Sequence, residues 1–224
     1  MSWKNDQVSQ EETEKIVELA KRCLKVPGDF VEMGCYKGDT SLLLAEVLRD
    51  YNKSILTEEA VEEAVEEVVE KPVENPVGKM GISSGNSKKR LWIYDSFEGL
   101  PEKTSADKSV LGVLFRGGEL SVTKREVKER FLRAGLPVPV IKKGWFSELS
   151  DSDMPELIAF TFLDGDFYES IRDSLKLVVP KMSQEGIIIV HDYTNPVLPG
   201  VKKAVDELLN RQKSKKSVAR IIKL

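Results

Sequence analysis

The chain has 224 residues, of which 41% are hydrophobic and 32% charged, and its formal net charge is −3. This length suffices for one α/β domain with a sizeable core. The negative charge argues against binding duplex DNA through whole-surface attraction, and the polar start of the sequence argues against export. No apolar run reaches the length of a bilayer span. We therefore predict one cytoplasmic domain over residues 1–224 that does not bind membranes.

The spacing of apolar residues predicts helices and strands in alternation. A helix over 11–26 is followed by a buried strand over 29–34, and a second helix begins at residue 39. In a later helix, at 123–136, Val127, Phe131 and Leu132 are expected to face inward. The remaining elements are strands within 90–95, 138–146, 157–166, 186–193 and 217–224, and helices at 168–182 and 200–212. This alternation predicts an α/β fold with a doubly wound, mostly parallel sheet.

Residues 52–89 interrupt the alternation. Their first part, "TEEAVEEAVEEVVEK", is acidic and of low complexity, and it can form a helix with a stripe of valines at 61, 65, 68 and 69. The second part is rich in Pro, Gly and Ser. We interpret the segment as a solvated surface insertion, with a partner-docking or lid role as the alternative. The basic tail from Arg211 is interpreted as a helix end followed by an edge strand, with an RNA contact as its alternative.

Polar and aromatic residues concentrate where the predicted strands end. In sheets of this class, ligands bind beyond the carboxyl ends of the strands. The residues at these ends are, in chain order, Glu32, Asp95, Gly144-Trp145-Phe146, Asp164 with Asp166, and His191 with Asp192.

The stretch "DFVEMGCYKGDTS" (29–41) differs from a dinucleotide-binding loop. Such a loop presents glycine backbone to a pyrophosphate, whereas here Glu32 precedes Gly34 and Gly38. A carboxylate at that position would repel phosphate and would suit a ligand with a positive charge. Asp95 is placed like the acid that accepts ribose hydroxyls. A cationic nucleoside without phosphate indicates S-adenosylmethionine, and the incomplete glycine pattern argues against a nicotinamide dehydrogenase.

The acids after the fourth strand and the His191-Asp192 pair after the fifth form a second group. These two strands usually neighbour each other, so their end residues can converge. Oxygen ligands suit Mg²⁺ or Mn²⁺, and a histidine favours Mn²⁺, Fe²⁺ or Zn²⁺. A cation held there could acidify a substrate hydroxyl and hold it in line with a methyl donor. His191 is thus a metal ligand, a general base or a structural group, and the sequence leaves these roles open.

Five ordered motifs resemble the macrocin O-methyltransferase (TylF-type) family of class I S-adenosylmethionine-dependent enzymes. They are "PGDFVEMGCYKGDTS", "YDSFEGLP", "KGWFSEL", "FLDGDFYES" and "HDYTNPVLPGVKKAVDEL". The resemblance covers roughly residues 27–52 and 90–210. It implies a Rossmann-like fold and metal-assisted methylation of a hydroxyl on a small molecule, such as a sugar of a natural product.

The resemblance also implies roles for single residues. The loop from Glu32 to Gly38 is expected to hold the methionine part of the donor, and Trp145 and Phe146 are expected to border its adenine. Metal binding and catalysis fall to Asp164, His191 and Asp192. The expected cofactor-binding residues are Glu32, Met33, Gly34, Tyr36, Gly38, Thr40, Ser41, Asp95, Ser96, Trp145, Phe146 and Asp164.

Three features depart from the family pattern. His191 stands where the family usually has an acid, and residues 52–89 have no counterpart that we can place. The sixth predicted strand ends the chain where a class I sheet normally adds an antiparallel seventh, so we expect a shorter sheet or an edge completed by a second copy. These departures leave a non-catalytic binding or scaffold protein as an alternative. The net acidity argues against a nucleic-acid methyltransferase.

Overall fold

The structure, a computed structural model, describes residues 7–68, 87–109, 115–212 and 220–224. Its helices are α1 (Gln10–Arg22), α2 (Asp39–Val68), α3 (Lys124–Ala134), α4 (Tyr168–Val178) and α5 (Pro199–Gln212). Its strands are β1 (Asp29–Met33), β2 (Leu91–Asp95), β3 (Val140–Lys143), β4 (Ile158–Leu163), β5 (Met182–Val190) and β6 (Arg220–Lys223).

The six strands form one sheet in the order β3-β2-β1-β4-β5-β6, and every neighbouring pair is parallel. The first strand therefore lies in the middle, and the strand order reverses between β1 and β4. This arrangement confirms the predicted α/β, doubly wound fold. The predicted sixth strand pairs with β5.

Helices cover both faces of the sheet, as a parallel sheet requires. On one face, side chains of α1, α2 and α3 pack with Phe30 and Phe160 in one apolar cluster. On the other face, α4 and α5 pack against Val31 and Leu163. All six residues of β4 are buried, which explains its continuous apolar sequence.

Helix α3 departs from prediction at one position. Val127 and Phe131 are fully buried, but Leu132 is 60% exposed, so its predicted inward orientation was wrong. Val127 and Phe131 are four residues apart and share a face, whereas the next residue is rotated away by about 100°. The helix ends as expected at Gly135, which adopts a left-handed conformation (φ 65°).

Several element boundaries also differ. Helix α1 ends at Arg22 instead of residue 26, and α4 ends at Val178 instead of residue 182. Strand β5 begins at Met182 instead of residue 186. Pro180 lies in the short 3₁₀ turn between α4 and β5, where its missing N–H prevents a regular helix from continuing. Helix α2 runs on through residues 52–68, so the acidic half of the predicted insertion extends this helix. Residues 69–86, and residues 213–219 of the basic tail, lie outside the described residues.

One row of backbone hydrogen bonds crosses the sheet just beyond the strands. Each bond joins an N–H that follows one strand to a carbonyl of the neighbouring strand. The row therefore aligns the carboxyl ends of the strands along one edge of the sheet, where the predicted site residues stand. Its members are Gly144 N to Asp95 O (3.0 Å), Gly34 N to Tyr94 O (2.9 Å), Asp164 N to Met33 O (2.9 Å) and His191 N to Leu163 O (3.0 Å).

Candidate active site

A cavity of about 520 Å³ opens at the carboxyl ends of the strands. Of the predicted cofactor and metal residues, it is lined by Gly34, Tyr36, Asp95, Ser96, Trp145, Phe146, Asp164, His191 and Asp192. The other five predicted residues are buried and do not belong to its lining: Glu32, Met33, Gly38, Thr40 and Ser41.

The chain turns tightly after β1. Gly34 has a φ of +90°, and a Cβ at this position would lie 2.0 Å from the carbonyl oxygen of Asp164. Only glycine tolerates both this conformation and this contact. Tyr36 (φ 44°), Asp166 (φ 60°) and Asp192 (φ 58°) also adopt left-handed conformations. Such strain in non-glycine residues is typical of functional sites.

Asp95 ties the ends of β1 and β2 together. Its Oδ2 accepts hydrogen bonds from the backbone N–H groups of Cys35 (2.9 Å) and Tyr36 (3.2 Å), and its Oδ1 accepts one from Phe97 (2.8 Å). A carboxylate offers about four acceptor positions, so about one remains for a ligand hydroxyl. The hydroxyl of Ser96 donates to the carbonyl of Gly99 (2.9 Å) and thereby shapes the loop after β2.

Glu32 is buried (1% exposed) and accepts a hydrogen bond from the Ser41 hydroxyl. Burial raises the pKa of Glu32 well above its ordinary value, the hydrogen bond from Ser41 offsets only part of this, and the charges of Asp164 and Asp95 raise it further. Burial therefore disfavours the charged form of Glu32 relative to a carboxylate in water. The negative charge that faces the cavity comes from the acids that line it.

Asp164, His191 and Asp192 converge in the cavity wall. The Nδ1 atom of His191 lies 3.0 Å from Oδ1 of Asp164 and 3.0 Å from Oδ2 of Asp192. Asn195 holds the other carboxylate oxygen of Asp192 through a hydrogen bond of 2.8 Å. The histidine side chain is 7% exposed, while the two carboxylates are 20% and 18% exposed. The backbone thus brings together the three residues that the sequence predicted as a group.

The two carboxylates control the charge of His191. Burial lowers the pKa of His191, but the charges and hydrogen bonds of Asp164 and Asp192 outweigh burial and raise it to about 11. Burial by itself raises the pKa of Asp192, but its bonds to His191 and Asn195 bring it below its ordinary value. Without a metal, the imidazole is therefore protonated on both ring nitrogens and positively charged at neutral pH. In that state it cannot act as a general base.

The three side chains fit a divalent ion. One atom from each, two carboxylate oxygens and one imidazole nitrogen, lies within 4.8 Å of the others. Bonds of about 2.1 Å place ligand atoms up to about 4.2 Å apart, so a small closure suffices. Binding would require Nδ1 to give up its proton. The ligands' exposure to the cavity would leave coordination positions for a substrate.

Asp166, which the sequence grouped with Asp164 and the His191-Asp192 pair, lines the cavity but is not one of the three residues whose ligand atoms lie within 4.8 Å of one another. Burial raises the pKa of Asp166 well above its ordinary value, the charges of Asp164 and Asp192 raise it further, and the charge of His191 offsets part of this. A carboxyl group shifted in this way can exchange a proton nearer to neutral pH.

The segment between β2 and α3 supplies an apolar wall that the sequence did not predict: Leu100, Pro101, Phe115 and Leu120. Leu100 pairs with the backbone of Gly118 and Glu119 across the segment. Asp107, 2% exposed, anchors the segment because it accepts hydrogen bonds from the backbone N–H groups of Thr104 (2.9 Å) and Tyr168 (2.7 Å). Thr104 and Asp107 have the spacing of a capping box, and this pattern in the sequence could have predicted the anchor.

Within the described ranges, none of the helices has an apolar stretch that would reach across a membrane.

Two curated proteins and one solved structure are similar to this chain. A Streptomyces olivaceus protein named 8-demethyl-8-(2,3-dimethoxy-alpha-L-rhamnosyl)-tetracenomycin-C 4'-O-methyltransferase is 30% identical over 75% of this chain and 54% of its own length. Demethyldecarbamoylnovobiocin O-methyltransferase of Streptomyces niveus is 28% identical over 86% of this chain and 64% of its own. The solved structure of the O-methyltransferase NovP superimposes with a TM-score of 0.65 and 25% identity, covering 92% of this chain and 73% of that chain.

The chain thus spans less than two thirds of the length of these two curated relatives. The sequence profile of the macrocin-O-methyltransferase (TylF) family matches residues 78–223, more than half of the chain. The match contains four of the five motifs and confirms the resemblance, and the chain belongs to the macrocin-O-methyltransferase (TylF) family.

Proposed function

We propose that this protein is an S-adenosylmethionine-dependent O-methyltransferase that binds a divalent metal ion and methylates a hydroxyl group of a small molecule. The observation that carries the proposal is the convergence of Asp95 and the Asp164–His191–Asp192 group on one cavity. A sugar hydroxyl is the expected acceptor class, and the name of the S. olivaceus relative, which specifies a rhamnosyl substrate, supports it.

The charge of the cavity favours the donor over its product. The carboxylate of Asp95 lines the cavity and attracts the positive sulfonium of the donor, whereas the charges of Asp164 and Asp192 would be offset by the ion that they hold. Methyl transfer makes the sulfur neutral, so this attraction disappears and product release is assisted. The remaining acceptor position of Asp95 suits a ribose hydroxyl, and Trp145 and Phe146 offer aromatic surface to the adenine.

The acceptor hydroxyl would be held by the metal group. A divalent ion bound by Asp164, His191 and Asp192 would lower the pKa of a coordinated hydroxyl and fix its orientation. The apolar wall of Leu100, Phe115 and Leu120 would cover the body of the acceptor and exclude water.

Asp166 is the proton acceptor in this proposal. Nδ1 of His191 would be bound to the metal and could not accept a proton, whereas Asp166 lines the same cavity and is not one of the three metal ligands. The acceptor oxygen forms a bond to the methyl carbon, the carbon–sulfur bond breaks, and the hydroxyl proton passes to Asp166. Positioning of the two reactants in line is the main contribution of the chain.

Calorimetric titration with donor and with Mg²⁺ or Mn²⁺, followed by a methyl-transfer assay on sugar-bearing hydroxyl compounds, tests the proposal. We expect Asp164→Asn to abolish metal-dependent transfer without loss of the fold. Asp151→Asn changes an exposed acid outside the cavity lining and serves as the control. Unchanged turnover in Asp164→Asn would refute the assignment.

One observation favours a second candidate, a metal-free binding or scaffold protein. The protonated His191 bridges both carboxylates and already supplies a positive charge to the acidic group. Donor binding without metal uptake, together with absent turnover on every acceptor tested, would support this alternative.

A further inference from the structure

Glu12 of α1 faces the metal group from the side opposite to the two aspartates. Its Oε1 lies 3.8 Å from Nε2 of His191, while Asp164 and Asp192 contact Nδ1 of the same ring. Three carboxylates therefore surround one imidazole. Glu12 lies outside residues 78–223, the part of the chain that matches the family profile, and it has no part in the proposed reaction.

The first turn of α1 fixes the orientation of Glu12. Its Oε2 accepts hydrogen bonds from the hydroxyl (2.6 Å) and the backbone N–H (3.1 Å) of Ser9, the N-cap residue. This capping box occupies one carboxylate oxygen and leaves Oε1 directed at His191. The Glu12 side chain is 33% exposed and the histidine 7%, so the contact lies at the edge of the buried region.

The chemistry of a histidine ligand requires a partner at the second ring nitrogen. A neutral imidazole carries one proton, and the nitrogen that binds a metal must be the one without it. Nδ1 is the nitrogen that faces Asp164 and Asp192, so the proton must stay on Nε2. Carboxylates that accept a hydrogen bond from this second ring N–H orient metal-bound histidines in many proteins.

We propose that Glu12 is a positioning residue for the metal site: it accepts a hydrogen bond from the Nε2–H of His191 and thereby selects the tautomer in which Nδ1 is the metal ligand. A separation of 3.8 Å exceeds a hydrogen bond, and a small rotation of the ring or one bridging water closes it. The inference rests on the metal binding proposed above. It also gives helix α1 a function at the site, because its capping box aims the carboxylate.

His191 is the only histidine in the sequence, so imidazole ¹⁵N NMR of the whole chain reports on this residue alone. Zn²⁺ is the probe because it is diamagnetic. In the wild type with Zn²⁺ we expect Nδ1 to be metal-bound and Nε2 to be protonated. In Glu12→Ala we expect a smaller population of the species with Nδ1 bound to Zn²⁺ and Nε2 protonated. Zn²⁺ affinity should fall by about tenfold or more. Glu12→Gln, which keeps an acceptor oxygen and the cap, should lose less.

Two control variants separate the carboxylate from its surroundings. Glu11→Ala removes the same charge from the same helical turn, and Ser9→Ala removes the capping hydroxyl. Glu11→Ala should keep the Nδ1-bound form and a Zn²⁺ affinity within about threefold of the wild type. Ser9→Ala keeps the Glu12 carboxylate but loosens its orientation, so it should lose less affinity than Glu12→Ala.

The inference is wrong if Glu12→Ala matches Glu11→Ala in NMR spectrum and affinity, or if Ser9→Ala loses as much affinity as Glu12→Ala. A wild type that takes up no Zn²⁺, Mn²⁺ or Mg²⁺ would overturn the proposed metal binding and this inference together. Wild-type metal binding with an unaffected Glu12→Ala variant would overturn the inference alone.

Discussion

The imidazole of His191 and the carboxylate of Asp164 lie 3.0 Å apart, although 27 positions separate them in the sequence. They meet because β4 and β5 end at the same level, where the N–H of His191 bonds to the carbonyl of Leu163. The Nδ1 proton occupies the place that a metal ion would take. Proton and metal must therefore compete for the same three side chains.

This competition predicts a pH dependence of metal binding. Because the pKa of His191 is raised to about 11, a metal must displace a proton throughout the neutral and mildly alkaline range. We expect metal affinity to rise roughly tenfold per pH unit between about pH 7 and 9. Calorimetry in buffers of different ionisation enthalpy should count about one released proton. A pH-independent affinity would show that the imidazole is not a ligand.

Replacement of His191 by Asp restores the paired acids expected for the family. Oxygen ligands favour Mg²⁺ over softer ions, so His191→Asp should shift the binding preference toward Mg²⁺ and away from Zn²⁺. Competitive titration of both ions against wild type and variant measures the shift. If His191 is only structural, melting temperature will fall while the preference stays the same.

The same histidine should make the metal-free protein less stable in alkali. Its folded-state pKa of about 11 exceeds the ordinary value of 6.5. Its contribution to the free energy of unfolding is therefore complete below about pH 6.5 and is lost as pH rises toward 11. Denaturant unfolding of wild type and His191→Asn should show a stability difference that shrinks over this range. A constant difference would mean that the imidazole is not charged in the fold.

Asp95→Ala tests the donor site. The loss of a charge-assisted hydrogen bond to ribose costs about 1.5–3 kcal/mol, so donor affinity should fall by roughly ten- to a hundredfold. The variant also releases the backbone N–H groups of Cys35 and Tyr36, and its melting temperature shows how much of the effect is structural. Donor binding at wild-type strength would place the ribose elsewhere.

Gly34 lies where β1 and β4 approach each other closely, and Gly118 serves as a matched control. Gly34 and Gly118 have similar positive φ values, but an added Cβ meets the Asp164 backbone at Gly34 and has nothing within 4 Å at Gly118. Gly118→Ala should cost about 1–2 kcal/mol from backbone strain. Gly34→Ala should cost at least about 2 kcal/mol more and should weaken metal binding by moving Asp164. Equal losses would show that the contact does not matter.

The sequence was sufficient for the sheet because buried parallel strands and their end residues leave local signals. The continuous apolar run of β4 and the acids after it needed no knowledge of distant contacts. The assembly of Asp164 with His191 and Asp192 followed from the expected neighbourhood of β4 and β5, which the strand order bears out.

Other features depend on contacts that no local pattern encodes. Leu132 and Phe131 are both apolar, and only the packing of α3 decides which of them is buried. Glu12 reads as an ordinary capping residue, because its approach to His191 requires the docking of α1 beside the end of β5. The cavity wall at Phe115 and Leu120 comes from an irregular segment without helical or strand periodicity.

The segment anchored by Asp107 can change in sequence without a change in the sheet. The candidate site residues stand at strand ends that the row of backbone hydrogen bonds aligns. The apolar wall belongs to a separate segment, which Asp107 holds through its hydrogen bonds to Thr104 and Tyr168. Insertions or exchanges within this segment can reshape the wall without shifting the register of a strand. If the wall contacts the acceptor as proposed, changes in this segment would alter acceptor preference while the strand-end residues stay in place.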